Sequence, residues 1–206
     1  MKTIGQYKDE ALAMLGGKWT KPVLLSLIVA LISVAPALVT KSDSGSFINV
    51  AVSIVVMCPL SVGIYASYRR FYLGQGVDMV NSPFQIGFSN WGHHVSGMLL
   101  MGVDTFLWSL LLIVPGIIKG LSYAMTPFIL EDKSQLSANE AIELSMKMME
   151  GRKMDLFLLG LSFIGWGILC LLTLGIGYLW LTPYIYVSMA SFYEDVKADY
   201  QAKMVP

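Results

Sequence analysis

Long apolar runs separated by short polar stretches organise the sequence. They lie at about residues 22–40, 47–67, 95–114, 117–131, 156–174 and 176–193. A helix needs about 20 predominantly apolar residues to cross the hydrocarbon core of a bilayer. The pattern therefore predicts an all-α, polytopic membrane helix bundle: six transmembrane helices arranged as three hairpins. The fourth run, Ile117 to Leu130, is short, and with the third it also reads as one long broken helix. Pro115-Gly116 between them is a strong breaker pair, and the charge pattern prefers a hairpin with its turn at Val114–Ile117.

Polar stretches ahead of the odd-numbered runs carry helical periodicity. Residues 1–17 form an amphipathic lead-in, with Ile4, Tyr7, Ala11, Leu12 and Leu15 on one face before Gly16-Gly17-Lys18-Trp19. Ser137-Ala138-Asn139-Glu140 is a capping box, in which Ser and Glu satisfy each other's orphan N–H groups. It opens a helix that places Ile142, Ser145, Met146 and Met149 together and ends at Glu150-Gly151-Arg152-Lys153. Pro83 to Trp91, ending at Gly92-His93-His94, is a less regular interfacial segment. Each hairpin is thus introduced by an amphipathic element, and each returning run holds a proline: Pro59, Pro127 and Pro183. With Pro115 these are candidate helix breaks, because proline frees a backbone carbonyl. Thr126 and Thr182 directly precede two of them and are candidates to satisfy it. The repetition reads either as pseudo-symmetric construction or as the lead-ins that any membrane hairpin needs.

Composition agrees with this picture. The 206 residues are 55% hydrophobic and 14% charged, against about 25% charged in soluble domains, and mean hydropathy is +0.63. The length suits a single integral-membrane domain, 1–206. Net charge is zero, which argues against a nucleic-acid partner held by a basic surface. The signs are informative by position. Of 14 basic and 14 acidic residues, only Lys41, Asp43, Asp104 and Lys119 fall outside the segments assigned to the cytoplasm. Loops rich in Lys and Arg stay inside, so both termini are expected in the cytoplasm and Lys41 and Asp43 in an external loop. The polar lead-in, with Asp9 and Glu10, fits a cleaved signal poorly. Cys58 and Cys170 sit in apolar runs without metal-ligand spacing and read as buried small hydrophobes.

Three blocks carry a family resemblance. One runs from Leu107-Trp108 through Ile113-Val114-Pro115-Gly116-Ile117-Ile118-Lys119 to Ser122-Tyr123-Ala124-Met125. The second comprises Phe128-Ile129-Leu130-Glu131-Asp132, Ala141-Ile142-Glu143-Leu144-Ser145 and Met149-Glu150-Gly151. The third comprises Leu161-Ser162-Phe163-Ile164-Gly165-Trp166 and Pro183-Tyr184 to Phe192-Tyr193. With the Gly-Lys-Trp lead-in, the chain resembles the bacterial integral-membrane family catalogued as domain of unknown function 975. The resemblance implies the cytoplasmic membrane of Gram-positive bacteria. It implies no activity and carries over no catalytic residue.

Asp104 is the sharpest candidate for chemistry. It falls near the middle of the third run, where a charge is costly and rarely unpartnered. Lys119 enters the fourth run from the outer side, and the two form a candidate intramembrane polar site. The alternative is an Asp satisfied by neighbouring Ser, Tyr or Trp donors, or held neutral. Arg69, Arg70, Glu131, Asp132, Arg152, Lys153, Glu194 and Asp195 form a candidate cytoplasmic rim, read as ion pairs that fix hairpin packing or, more sharply, as a cation or headgroup site. His93 and His94 lack a third ligand at zinc spacing. Gly116-x-x-x-Gly120 permits close helix approach. No nucleotide-binding or catalytic motif is readable, and neither a cofactor nor a metal is expected. Membrane lipids, a second copy of the chain or a membrane-protein partner are the expected partners. The favoured function is a non-enzymatic, envelope-associated scaffold, an immunity or export accessory, or a lipid-interacting module. The alternative is a small oligomeric transporter working through Asp104 and Lys119. An intramembrane lipid enzyme is a third reading, with only the rim carboxylates behind it.

Overall fold

A computed structural model describes residues 2–39 and 45–204; Lys41 and Asp43 lie outside the described residues. The described residues form eleven α-helices and no strand. In chain order they are α1 (Ile4–Leu15), α2 (Thr20–Val39), α3 (Gly45–Tyr72), α4 (Ser82–Ser89), α5 (Trp91–Leu111), α6 (Ile113–Tyr123), α7 (Thr126–Asp132), α8 (Ala138–Met148), α9 (Lys153–Leu161), α10 (Ile164–Leu172) and α11 (Tyr178–Met204).

Two helices begin at capping boxes. The Gln6 and Glu140 amides donate to the Thr3 and Ser137 hydroxyls at 3.3 and 3.4 Å, and their side chains accept from the Thr3 and Ser137 amides at 2.7 Å each. The apolar stripe of α1, namely Tyr7, Ala11 and Leu15, is fully buried against α11. Leu12, expected on that stripe, is 45% exposed instead. Gly17 takes a positive φ of 71°, and the chain bends by 101° from α1 into α2.

The six predicted spans do not appear as six uninterrupted helices. Among the described residues, Lys153–Leu172 is long and apolar enough by itself to cross a membrane, and Ile4–Leu15 with Thr20–Val34 passes only as a pair across the 101° bend. The fourth run is two helices, α6 and α7, of 11 and 7 residues. The fifth is interrupted at Ser162-Phe163, between α9 and α10. The last continues well past Tyr193, as α11 runs for 27 residues.

The expected turn at Val114–Ile117 is also displaced. The chain reverses at Leu112, which is extended (φ −162°, ψ 146°), and Pro115 lies within the first turn of α6. Proline is tolerated there because a first-turn N–H has no helical partner to lose. Gly116 then lets α6 close on α5, since a Cβ at that position would lie 2.8 Å from Ser109 Cα. Pro59 and Pro183 are inside α3 and α11, and Pro127 occupies the first turn of α7. The break it was expected to cause comes just before it, at Ala124-Met125.

Helix α3 packs against α2, α4, α5, α7 and α11, and α11 packs against α1, α2, α3, α8 and α10. The α3–α4 contact is backbone to backbone: a Cβ on Gly63 would sit 1.9 Å from Pro83 O. The core between these helices is rich in aromatics. Tyr65 meets Phe128 and Tyr186 edge-on at 4.9 and 5.0 Å, and Tyr186 and Tyr193 stack on Tyr68 and Phe128 at 5.0 and 4.7 Å. At the other end of the bundle the polarity inverts. Leu110, Leu112, Val114, Leu171, Leu172, Leu174 and Ile176 are 61–94% exposed.

Candidate functional site

The charged C-terminal ends of α3 and α7 meet the middle of α11. Neighbouring residues on a helix point about 100° apart, so Arg69 and Arg70, at the end of α3, address different partners. Arg69 reaches both other helices: its Nη1 lies 2.7 Å from Asp132 Oδ1 of α7, and its Nε donates to Glu194 of α11. Its guanidinium also stacks 5.2 Å from the Tyr193 ring centroid. Arg70 donates to Glu131. Asp132 also accepts from Lys197 Nζ at 2.6 Å and from the Tyr193 hydroxyl at 2.8 Å. Burial opposes ionisation of Asp132, but the bonds from Lys197 and Tyr193 and the Arg69 charge outweigh it. Its carboxyl is held below the usual Asp value.

A second cluster centres on Arg152, at the start of α9 and only 1% exposed. Its Nη2 donates to Asp195 Oδ2 at 2.6 Å and to the Tyr7 hydroxyl at 3.0 Å, while that hydroxyl donates to the same Asp195 oxygen at 2.6 Å. Arg152 Nε lies 3.2 Å from Asp155 Oδ2, but neither Nε nor Nη1 has an aligned hydrogen-bond partner among the described residues. Burial opposes ionisation of Asp195 as well, and its bonds from Tyr7 and Arg152 pull the carboxyl below its ordinary value. A third cluster gathers on Glu10 Oε2, which accepts from Lys2 Nζ, Tyr72 and Ser191 at 2.8, 2.8 and 2.6 Å.

Seven of the eight rim residues named from sequence therefore meet in ion pairs; Lys153 begins α9 half-buried without one among the described residues. Tyr7, Glu10, Tyr72, Ser191, Tyr193 and Lys197 complete the clusters and were missed. Only Tyr7 carried a sequence signal, its place on the α1 stripe. Glu10, Tyr72 and Ser191 depend on how α1 lies against α3 and α11, and Tyr193 and Lys197 on how α11 meets α7, neither of which periodicity specifies.

Asp104 and Lys119 are not joined. The Lys119 ammonium sits over the Trp108 ring at 4.8 Å and the Tyr123 ring at 5.9 Å, and touches Met146 Sδ at 3.9 Å. Asp104 is half-buried and forms no ion pair among the described residues. His94 is buried, its Nδ1 2.7 Å from Gly87 O, and no group of residues able to hold a metal occurs among the described residues.

Glu10, Asp132 and Asp195 each accept several hydrogen bonds, at least one of them from a cationic side chain, which favours the ionised form. Held in that form they make poor general acids at neutral pH. The arrangement is chemically a clamp that ties the ends of α1, α3, α7, α9 and α11 together.

A family model described as a protein of unknown function (DUF975) matches residues 48–200. No curated protein and no solved structure matches the chain.

Proposed function

We propose, for a chain that belongs to the DUF975 family of proteins of unknown function, a role as a non-catalytic scaffold of the bacterial cytoplasmic membrane. In this reading the chain crosses the bilayer six times, both termini are cytoplasmic, and the clamp faces the cytoplasm. One observation carries it: polarity is inverted between the ends of the bundle. Charge is paired and buried around Arg69, Asp132, Arg152 and Asp195, whereas large apolar side chains of α5, α6 and α10 face outward. Extensive exposed apolar surface is costly in water and marks a membrane or partner face. The helix lengths are compatible. At about 1.5 Å per residue, α2, α3, α5 and α11, with 20, 28, 21 and 27 residues, reach about 30 Å or more. The broken fourth crossing is supported by the side-chain bonding at its break, because irregular backbone at membrane depth must be satisfied internally. Lipids and another membrane protein, or a second copy of this chain, are the proposed partners.

A second reading, a small oligomeric transporter, rests on Asp104, half-buried and unpaired among the described residues on an otherwise uncharged face of α5.

Single cysteines at Leu174 and Ser137, in a Cys58→Ala, Cys170→Ala background, test the topology. An impermeant maleimide should label Leu174→Cys in intact cells and Ser137→Cys only after lysis. Labelling of both from one side would remove the six-crossing proposal. Exchange of a radiolabelled monovalent cation or proton flux in vesicles, abolished by Asp104→Asn, would instead favour the transporter.

A further inference from the structure

The elbow between α1 and α2 forms one wall of a cavity of about 440 Å³. Gly17, Lys18, Thr20, Lys21 and Pro22 face it from one side, and the loop after α3, from Phe71 through Gly74-Gln75-Gly76 to Met79, from the other. We infer that this cavity is a binding site for a phosphate ligand of net negative charge, an anionic lipid headgroup or a small soluble phosphate; the lipid form rests on the membrane reading above.

The charge of the lining is the first reason. Among the described residues its charged members are Lys18 and Lys21, and no carboxylate lines it. Both are exposed and neither is in an ion pair among the described residues, whereas Arg69, Arg70, Arg152 and Lys197 are all matched to carboxylates. Asp78, the nearest acidic residue in the loop, is occupied by its own turn. It accepts from Val80 N at 3.2 Å and Asn81 Nδ2 at 2.7 Å. The cations of the clamp are thus spent internally, whereas Lys18 and Lys21 have no carboxylate within ion-pair distance among the described residues, Asp78 acting on Lys21 only at longer range.

The polar complement of the cavity is the second reason. The Val23 amide bonds to Trp19 O at 2.9 Å, which makes Trp19 the residue capping the 20-residue α2. An indole has no oxygen to accept from the first-turn amides, which in most helices a Ser, Thr, Asp or Asn would satisfy. With no N–H on Pro22 and the Val23 amide already bonded, this leaves the amides of Thr20 and Lys21, which with the Thr20 hydroxyl and the Gln75 carboxamide belong to residues lining the same space. Gly74, with φ 69°, turns the opposite loop without placing a side chain in the opening. Pro22, Phe71, Val77 and Met79 make the rest of the wall apolar, which suits a phosphodiester carrying a hydrocarbon tail better than a bare ion.

The experiment uses the full chain purified in a neutral detergent, titrated calorimetrically with dioctanoyl phosphatidylglycerol, dioctanoyl phosphatidylcholine and inorganic phosphate. Saturable binding of phosphatidylglycerol is expected, weakened at least tenfold in Lys18→Gln/Lys21→Gln and retained in Lys18→Arg/Lys21→Arg. Lys133→Gln, a lysine away from the cavity, should bind as the unaltered chain does. Each variant is first matched to the unaltered chain by thermal unfolding. Inorganic phosphate binding as tightly as the lipid would name a soluble anion as the ligand. Preference for phosphatidylglycerol would name the headgroup. Either outcome keeps the cationic site. It is overturned if no probe saturates, if the phosphatidylcholine control binds as well as phosphatidylglycerol, or if the Gln pair binds like the unaltered chain. These titrations do not depend on which side of a membrane the cavity faces, so the cysteine labels report failure of the topology separately.

Discussion

The indole Nε1 of Trp91 donates to the Val55 carbonyl oxygen at 3.0 Å. Val55 stands four residues before Pro59, within α3, so its carbonyl is the one that would have bonded to residue 59 had that residue carried an N–H. The first residue of α5 thereby repairs the break in α3. Trp91→Phe keeps the ring and removes the donor. It is expected to lower stability by about 0.5–1.5 kcal/mol, the net worth of a hydrogen bond at an exposed carbonyl. In a Pro59→Ala background the helical N–H returns, so the same change should cost less. Thermal unfolding of the four proteins of this cycle measures the coupling. Equal costs in both backgrounds would show that the indole does not act through that carbonyl.

Ser145 does the same for the break between α6 and α7. Its hydroxyl donates to Ser122 O at 2.8 Å and accepts from Met125 N at 3.2 Å, joining the two backbone groups that the break leaves open. Thr126, the sequence candidate for this work, has a buried hydroxyl with no partner among the described residues. Ser145→Ala orphans a donor and an acceptor at once and should cost about 2–4 kcal/mol, roughly twice the penalty for one buried group. Thr126→Val removes an unpaired hydroxyl and should be neutral or slightly stabilising. Reversal of that order in unfolding experiments would refute the assignment.

The Arg152 cluster ties α1 to α9 and α11, which gives it a readout of its own. Removing one partner of a buried ion pair costs about 3–5 kcal/mol when the other charge is left uncompensated. Arg152→Met should therefore destabilise strongly, although Tyr7 still serves Asp195. Arg152→Met/Asp195→Leu removes both charges and should recover part of the loss. Protease cleavage between α1 and α2 measures release of the lead-in, and should accelerate in the single variant more than in the double.

Sequence pattern and structure diverge for reasons that these residues make concrete. The apolar runs predict helix, and the Ser137–Glu140 capping box places α8 because its donors and acceptors are three residues apart; the Thr3–Gln6 box that opens α1 has the same spacing but emerges only in the structure. Where a run stops is a different matter. Pro115 looks like a breaker and is absorbed into a first helical turn, while the real interruption at Ala124-Met125 is stabilised by a serine 20 residues later. Such repairs join groups distant in sequence, so local rules miss them. The rim was legible in part because charges collect at helix ends. The tyrosines and Glu10 that complete it were not, since their partners are set by how α1 docks on α3 and α11 and how α11 meets α7. Asp104 and Lys119 were grouped as the two charges that the predicted topology leaves within apolar runs. In the fold, the aromatic ring of Trp108 takes the cation instead.

The clamp also fixes how stability should respond to acid. Burial disfavours the ionised form of Asp132 and Asp195, but Lys197, Tyr193 and Arg69 around the first, and Tyr7 and Arg152 around the second, outweigh it. Both carboxyls are therefore lower in the folded chain than the ordinary value of 3.8. A group with a depressed folded pKa contributes stability that is full above its unfolded pKa and is lost as pH falls through the folded one. Their contribution should be flat from neutral pH down to about 5 and should disappear progressively below about 4. Asp132→Asn removes that carboxylate's share, so the variant should be less stable at neutral pH yet show a shallower loss on acidification, the two curves converging at low pH. Unfolding midpoints in detergent across this range provide the check. A variant curve that stays parallel to that of the unaltered chain below about pH 4 would mean that Asp132 is not held ionised by Lys197, Tyr193 and Arg69.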